Sequence, residues 1–95
     1  MNEQEARELL EAEIHRLKAL GYERLRALEA GAHEVTGQSG TVYTVETQAW
    51  DDNPKRPDGN LRVNASIDDG RGLRAFVPLS DSFIIAPDGT FVGKS

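Results

Sequence analysis

The sequence predicts an α+β fold: an N-terminal helix, or two helices, packed on one face of an antiparallel β-meander in a two-layer sandwich. Three observations carry this expectation. The apolar spacing changes from three-and-four to two after Gly31. Eight of the nine Glu lie at or before Glu34, whereas all seven Asp lie at or after Asp51; Glu favours helices, and Asp favours caps and turns. Both patterns carry a single apolar face, so each layer needs the other to cover it.

The helical part comes first. Asn2 is suited to cap a helix, and Glu5 three residues later completes a capping-box-like pair. Ala6, Leu9, Leu10, Ile14 and Leu17 then form one apolar stripe, with Glu3–Arg7 and Glu11–His15 as i,i+4 pairs on the wet side. Gly21 ends or kinks this helix near Leu20, and Tyr22, Leu25 and Leu28 suggest a second short helix closed by Gly31. A single bent helix from Glu3 to Glu29 is the alternative.

The strands follow. His33–Thr36 is a short first strand, turning through Gly37-Gln38-Ser39-Gly40 into Thr41–Trp50. That second strand puts Tyr43, Val45, Thr47 and Ala49 on one face, and Thr44, Glu46, Gln48 and Trp50 on the other. Asp51–Asn60 is rich in Pro, Asp and Asn, and is long for a hairpin loop, so mobility is expected there. Leu61, Val63, Ala65 and Ile67 alternate with polar residues, as do Leu73, Ala75, Val77 and Leu79. Buried residues must face buried residues, so a three-residue turn at Asp69-Gly70-Arg71 would pair Ile67 with Leu73, Ala65 with Ala75 and Val63 with Val77. Phe83–Ala86 and Thr90–Val92 flank a final turn at Pro87-Asp88-Gly89. The expected core is Leu10, Ile14, Leu17, Val63, Ala65, Ile67 and Val77.

The 95 residues allow one domain, helical over 1–30 and sheet over 32–93, with one modest core. The chain carries 11 Lys+Arg against 16 Asp+Glu, a net charge of −5. That balance argues against nucleic-acid binding, which draws affinity from cations on phosphates, and against anionic membrane surfaces. No signal peptide or membrane-spanning run is evident, and there is no Cys, so a cytoplasmic location is expected. The richness in Ala, Gly, Arg and Glu is compatible with a bacterial source.

No motif specifies chemistry. His15 and Glu11 share a helix face, but no third imidazole exists to complete a metal site. Gly37-Gln38-Ser39-Gly40 precedes a strand where a nucleophile elbow needs a helix. Asp51, Asn53, Asp58 and Asn60 miss the calcium-loop spacing and enclose Lys55 and Arg56. Asp68 and Asp69 are adjacent, so they point to opposite faces, and Gly70-Arg71-Gly72 is no phosphate fingerprint because no helix follows. No catalytic residue, metal ligand or cofactor is therefore assigned.

What stands out is the second sheet face, with Glu46, Gln48 and Trp50, then Arg62, Asn64 and Ser66, then Arg74 and Phe76. Polar side chains around two aromatics have the layout of a recognition surface. The expected function is a non-catalytic binding or interaction module, using this face and the Asp51–Asn60 loop toward a protein partner or a second copy as a homodimer. Two alternatives remain: a small enzyme or ligand-binding protein built on Arg62, Ser66, Arg74 and Glu46, or an acidic immunity-type inhibitor of a basic partner protein.

Overall fold

The computed structural model describes residues 2–69 and 79–93. The elements run α1 (Glu3–Lys18), α2 (Tyr22–Arg26), β1 (Gly31–Thr36), β2 (Val42–Asp51), β3 (Leu61–Asp68), β4 (Leu79–Ile85) and β5 (Phe91–Val92). The strands form a five-stranded antiparallel sheet in sequential order, with both helices against one face. The α+β two-layer meander is thus the observed architecture.

There are two helices. Asn2 caps α1 by accepting the Glu5 N–H at 3.1 Å, with Glu3 and Glu5 in the first turn and His15, Arg16 and Lys18 in the last; this charge order complements the helix dipole. Gly21, at φ +86°, separates the helices in a conformation that side-chain-bearing residues avoid. Ala6, Leu10, Ile14 and Leu17 form the buried stripe, and Glu13 joins them at 8% exposure. Glu13 is buried with a partner: the Arg16 guanidinium forks onto its carboxylate at 2.7 and 3.1 Å.

In the sheet, β3 is central and alternates strictly, with Leu61, Val63, Ala65 and Ile67 buried. Leu10, Ile14, Leu17, Val63, Ala65 and Ile67 all lie in the core as expected, beside Tyr22, Leu25, Tyr43, Val45 and Ile85. Val77 lies outside the described residues.

The expected partner of β3 is corrected. Ile67 faces Leu79, Ala65 faces Asp81, Val63 faces Phe83 and Leu61 faces Ile85, so β4 takes the edge of β3 that was expected for Leu73, Ala75 and Val77, which lie outside the described residues. The other edge of β3 is taken by β2, with Val63 opposite Ala49. The odd-with-odd rule holds, but it permits either partner. The register adopted places Ile85 at 1% exposure and lets β4 run directly into the Pro87-Asp88-Gly89 turn.

The two outer hairpins share one design. Gly37 N–H donates to Thr41 O at 2.8 Å, and Ala86 N–H donates to Thr90 O at 2.8 Å; Gly40 and Gly89 have φ of +89° and +92°. Each is a three-residue loop closed by a left-handed glycine. Asp88 accepts from the Thr90 N–H and hydroxyl, which holds its carboxyl below the ordinary range.

Candidate functional site

The register lays out the outer face, opposite the helices, rung by rung. Glu46 faces Ser66, Gln48 faces Asn64, and Trp50 faces Arg62. Across β3, Ser66 faces Ser80, Asn64 faces Ser82 and Arg62 faces Ile84, which in turn faces Val92. Six of the eight expected residues, Glu46, Gln48, Trp50, Arg62, Asn64 and Ser66, therefore do share one face on adjoining strands. Arg74 and Phe76 lie outside the described residues.

The middle rungs are polar; Trp50, Ile84 and Val92 share the rung at one end with Arg62, while Val42 stands at the opposite end of β2. Trp50 is 43% exposed and Val92 40%. The sequence reading missed Ile84 and Val92. Ile84 sits in a four-residue apolar run, Phe83-Ile84-Ile85-Ala86, in which alternation is invisible; only its pairing with Arg62 reveals which face it takes.

Arg62 is held in place. Its Nε and one terminal nitrogen both reach Asp52 Oδ1, at 3.2 and 3.1 Å. Asp52 opens the β2–β3 loop, and its N–H donates to Asn60 O at 2.9 Å. This loop, expected to be mobile, is fastened at several points. Tyr22 donates its hydroxyl to Gly59 O at 2.6 Å, Arg26 pairs with Asp58 at 2.7 Å, and Asn53 accepts from Lys55 N–H at 3.0 Å and from Arg56 N–H at 2.8 Å.

Beside the Trp50–Arg62 rung, the loop and the last turn enclose a depression of about 500 Å³. It is lined by Asp52, Asn53, Arg56, Gly59, Asn60 and Pro87. Among the described residues, no group of three or more His, Cys, Asp or Glu is placed to hold a metal ion. No described helix is long and apolar enough to cross a membrane. No protein-family model, curated protein or solved structure matches the chain.

Proposed function

We propose that the protein is a bacterial, cytoplasmic, non-catalytic binding module that recognises a protein partner through the Trp50–Arg62–Ile84–Val92 end of the outer sheet face. The observation that carries this reading is the rung itself: an exposed Trp, an Arg fixed by Asp52 and two aliphatic side chains in line, next to a depression of about 500 Å³. Trp and Arg are the residue types that dominate binding energy at protein interfaces, most strongly where their geometry is preset.

Charge favours a basic partner. The described part of the face places Glu34 and Glu46 on even-numbered positions of β1 and β2, and its cation Arg62 is already paired with Asp52. With the chain at −5, a basic protein surface would be drawn to it and a nucleic acid repelled. An immunity-type role toward a basic partner is one form of this reading.

The test compares wild type, Trp50→Ala and Ser66→Ala in pull-downs from bacterial extract, followed by titration of the recovered protein. Trp50→Ala should weaken binding by about 1–3 kcal/mol with an unchanged melt, while Ser66→Ala, on the polar part of the face, should bind nearly as wild type. Equal binding by wild type and Trp50→Ala would overturn the proposal.

A further inference from the structure

The sheet has two edges, and they are finished differently. On the β5 side the terminal strand is two residues long. Next to it, β4 turns the charge of Asp81 to the helix side of the sheet, and the Asp81 carboxylate accepts the Ser82 N–H at 2.8 Å. A short strand, an inward charge and an occupied N–H are devices that stop a sheet from growing.

The β1 edge has none of these. It is six residues long, Gly-Ala-His-Glu-Val-Thr, without Pro, Lys or Arg, and five of the six are exposed. Its hydrogen-bonding phase follows from the turn. Gly37 N–H donates inward to Thr41 O, so by alternation Val35, His33 and Gly31 bond to β2. The N–H and C=O groups of Ala32, Glu34 and Thr36 then point to the open edge. No described residue pairs with them.

We propose that two copies of the chain pair antiparallel through β1, joining their sheets into one continuous ten-stranded sheet centred on His33. The symmetry restricts the register. A two-fold axis through an antiparallel strand pair keeps each side chain on its own face, so like parity must face like parity. The open groups are on even residues, so even residues must form the hydrogen-bonded pairs. Two central registers meet both conditions. One puts Glu34 opposite Glu34 of the second copy, two like charges directly across a strand pair, which is destabilising. The other puts Glu34 opposite Ala32 and His33 opposite His33. The second register sets Ala32 and Glu34 in four reciprocal backbone hydrogen bonds and keeps the carboxylates apart. Pairing of this kind is a small interface, so the dimer forms reversibly with concentration. It goes beyond the outer-face reading, because it uses a different surface and leaves the Trp50 rung open.

The experiment is sedimentation of the intact chain over roughly a hundredfold range of concentration. Wild type should rise from the 10.4 kDa chain mass toward twice that value. Glu34→Pro and Ala32→Pro each delete an N–H aimed at the open edge, where Pro is tolerated, and spare the bonds to β2. Both should stay monomeric with a wild-type circular dichroism spectrum, while Trp50→Ala should dimerise as wild type does. Because the chain has no Cys, register can be read by oxidation in air. At the dimerising concentration His33→Cys should form the crosslinked dimer at least tenfold faster than Glu34→Cys, since a non-hydrogen-bonded pair brings Cα atoms to about 4.5 Å, within disulfide range. Should either proline variant fail to fold, hydrogen exchange of the wild type decides: the Ala32 and Glu34 amides should slow as concentration rises. A wild type that is monomeric throughout, a dimer that survives the folded proline variants, or faster crosslinking through Glu34→Cys would overturn the proposal; a dimer lost in Trp50→Ala would assign self-association to the outer face.

Discussion

At one end of the sandwich the helical layer is tied to the sheet through Tyr43, and at the other end through Tyr22. The two ties look alike but end on different acceptors. Tyr43, fully buried, donates its hydroxyl to Glu5 Oε1 at 2.7 Å. The same carboxylate takes the Ser39 hydroxyl at 2.7 Å and the Ser39 N–H at 2.9 Å, so α1 holds the β1–β2 turn. Tyr22 donates instead to a backbone carbonyl, Gly59 O, with Arg26 stacked 5.8 Å from its ring and paired with Asp58 on the surface. One tie ends on an acceptor that titrates, the Glu5 carboxylate, and the other on a backbone carbonyl, which does not. The same mechanical task therefore gives the Glu5 end an acid-sensitive acceptor.

Breaking the core beneath both ties should have the largest effect. Ile14→Ala should cost about 2–5 kcal/mol, because Ile14 is packed between α1 and the sheet. That approaches the whole stability of a domain this size, on the order of 5–14 kcal/mol, and a chemical denaturation curve would show it. A midpoint close to wild type would place Ile14 outside the core.

The Glu5 tie comes next. Glu5→Ala removes the acceptor of all three bonds. Gly37→Ala should imitate it, because a Cβ at Gly37 would collide with the Glu5 carboxylate and force it off Ser39 and Tyr43. The double variant should then be no worse than the more damaging single one, since both remove the same interactions. Additive losses in the melts would separate Gly37 from the tie.

Titration sharpens the contrast. The Ser39 hydroxyl and amide and the Tyr43 hydroxyl hold the Glu5 carboxyl below its ordinary value of 4.5. The folded chain thus keeps Glu5 ionised to lower pH than the unfolded chain does. That contribution is fully present above pH 4.5 and is lost as pH falls through the lowered value. Burial, and then the Glu5 carboxylate, push the Tyr43 phenol above 10.0. Its contribution is present below pH 10.0 and is lost as pH rises through the raised value. Glu5→Gln should flatten the acid side of the stability–pH curve. An acid limb as steep in Glu5→Gln as in wild type would assign the pH dependence to other carboxylates.

The Tyr22 tie should give the smallest effect. Tyr22→Phe strips one hydrogen bond to a partly buried carbonyl and should cost about 0.5–1.5 kcal/mol. The loop amides near Gly59 should exchange faster in the variant. Unchanged exchange would mean that Asp52 and Arg62 hold the loop without Tyr22.

Several features were legible in the residues alone. The stripe from Ala6 to Leu17 and the alternation of β2 and β3 assigned both layers and the two sheet faces, because a side chain's direction repeats every 3.6 residues in a helix and every two in a strand. Gly40 and Gly89 marked their turns for the same local reason: only a residue without Cβ takes that backbone conformation at no cost. Six residues of the candidate face were placed together by period alone.

What needed tertiary structure was partner choice. Parity assigns Ile67 to an odd-numbered neighbour but does not separate Leu73 from Leu79, and the chain resolves this by where Ile85 and Phe83 can be covered. The capping-box pattern predicted half of Glu5's role correctly: its N–H is held by Asn2, yet its side chain crosses 34 residues of sequence to Ser39. Arg62 was visible as a face residue, whereas Asp52, which fixes it, lay in a loop with no period to read. Local steric rules act within a few residues and so are written in the sequence. Pairing, tethering and the outward rung at Trp50 are set by which surfaces exclude water together, and that is decided only when the whole chain packs.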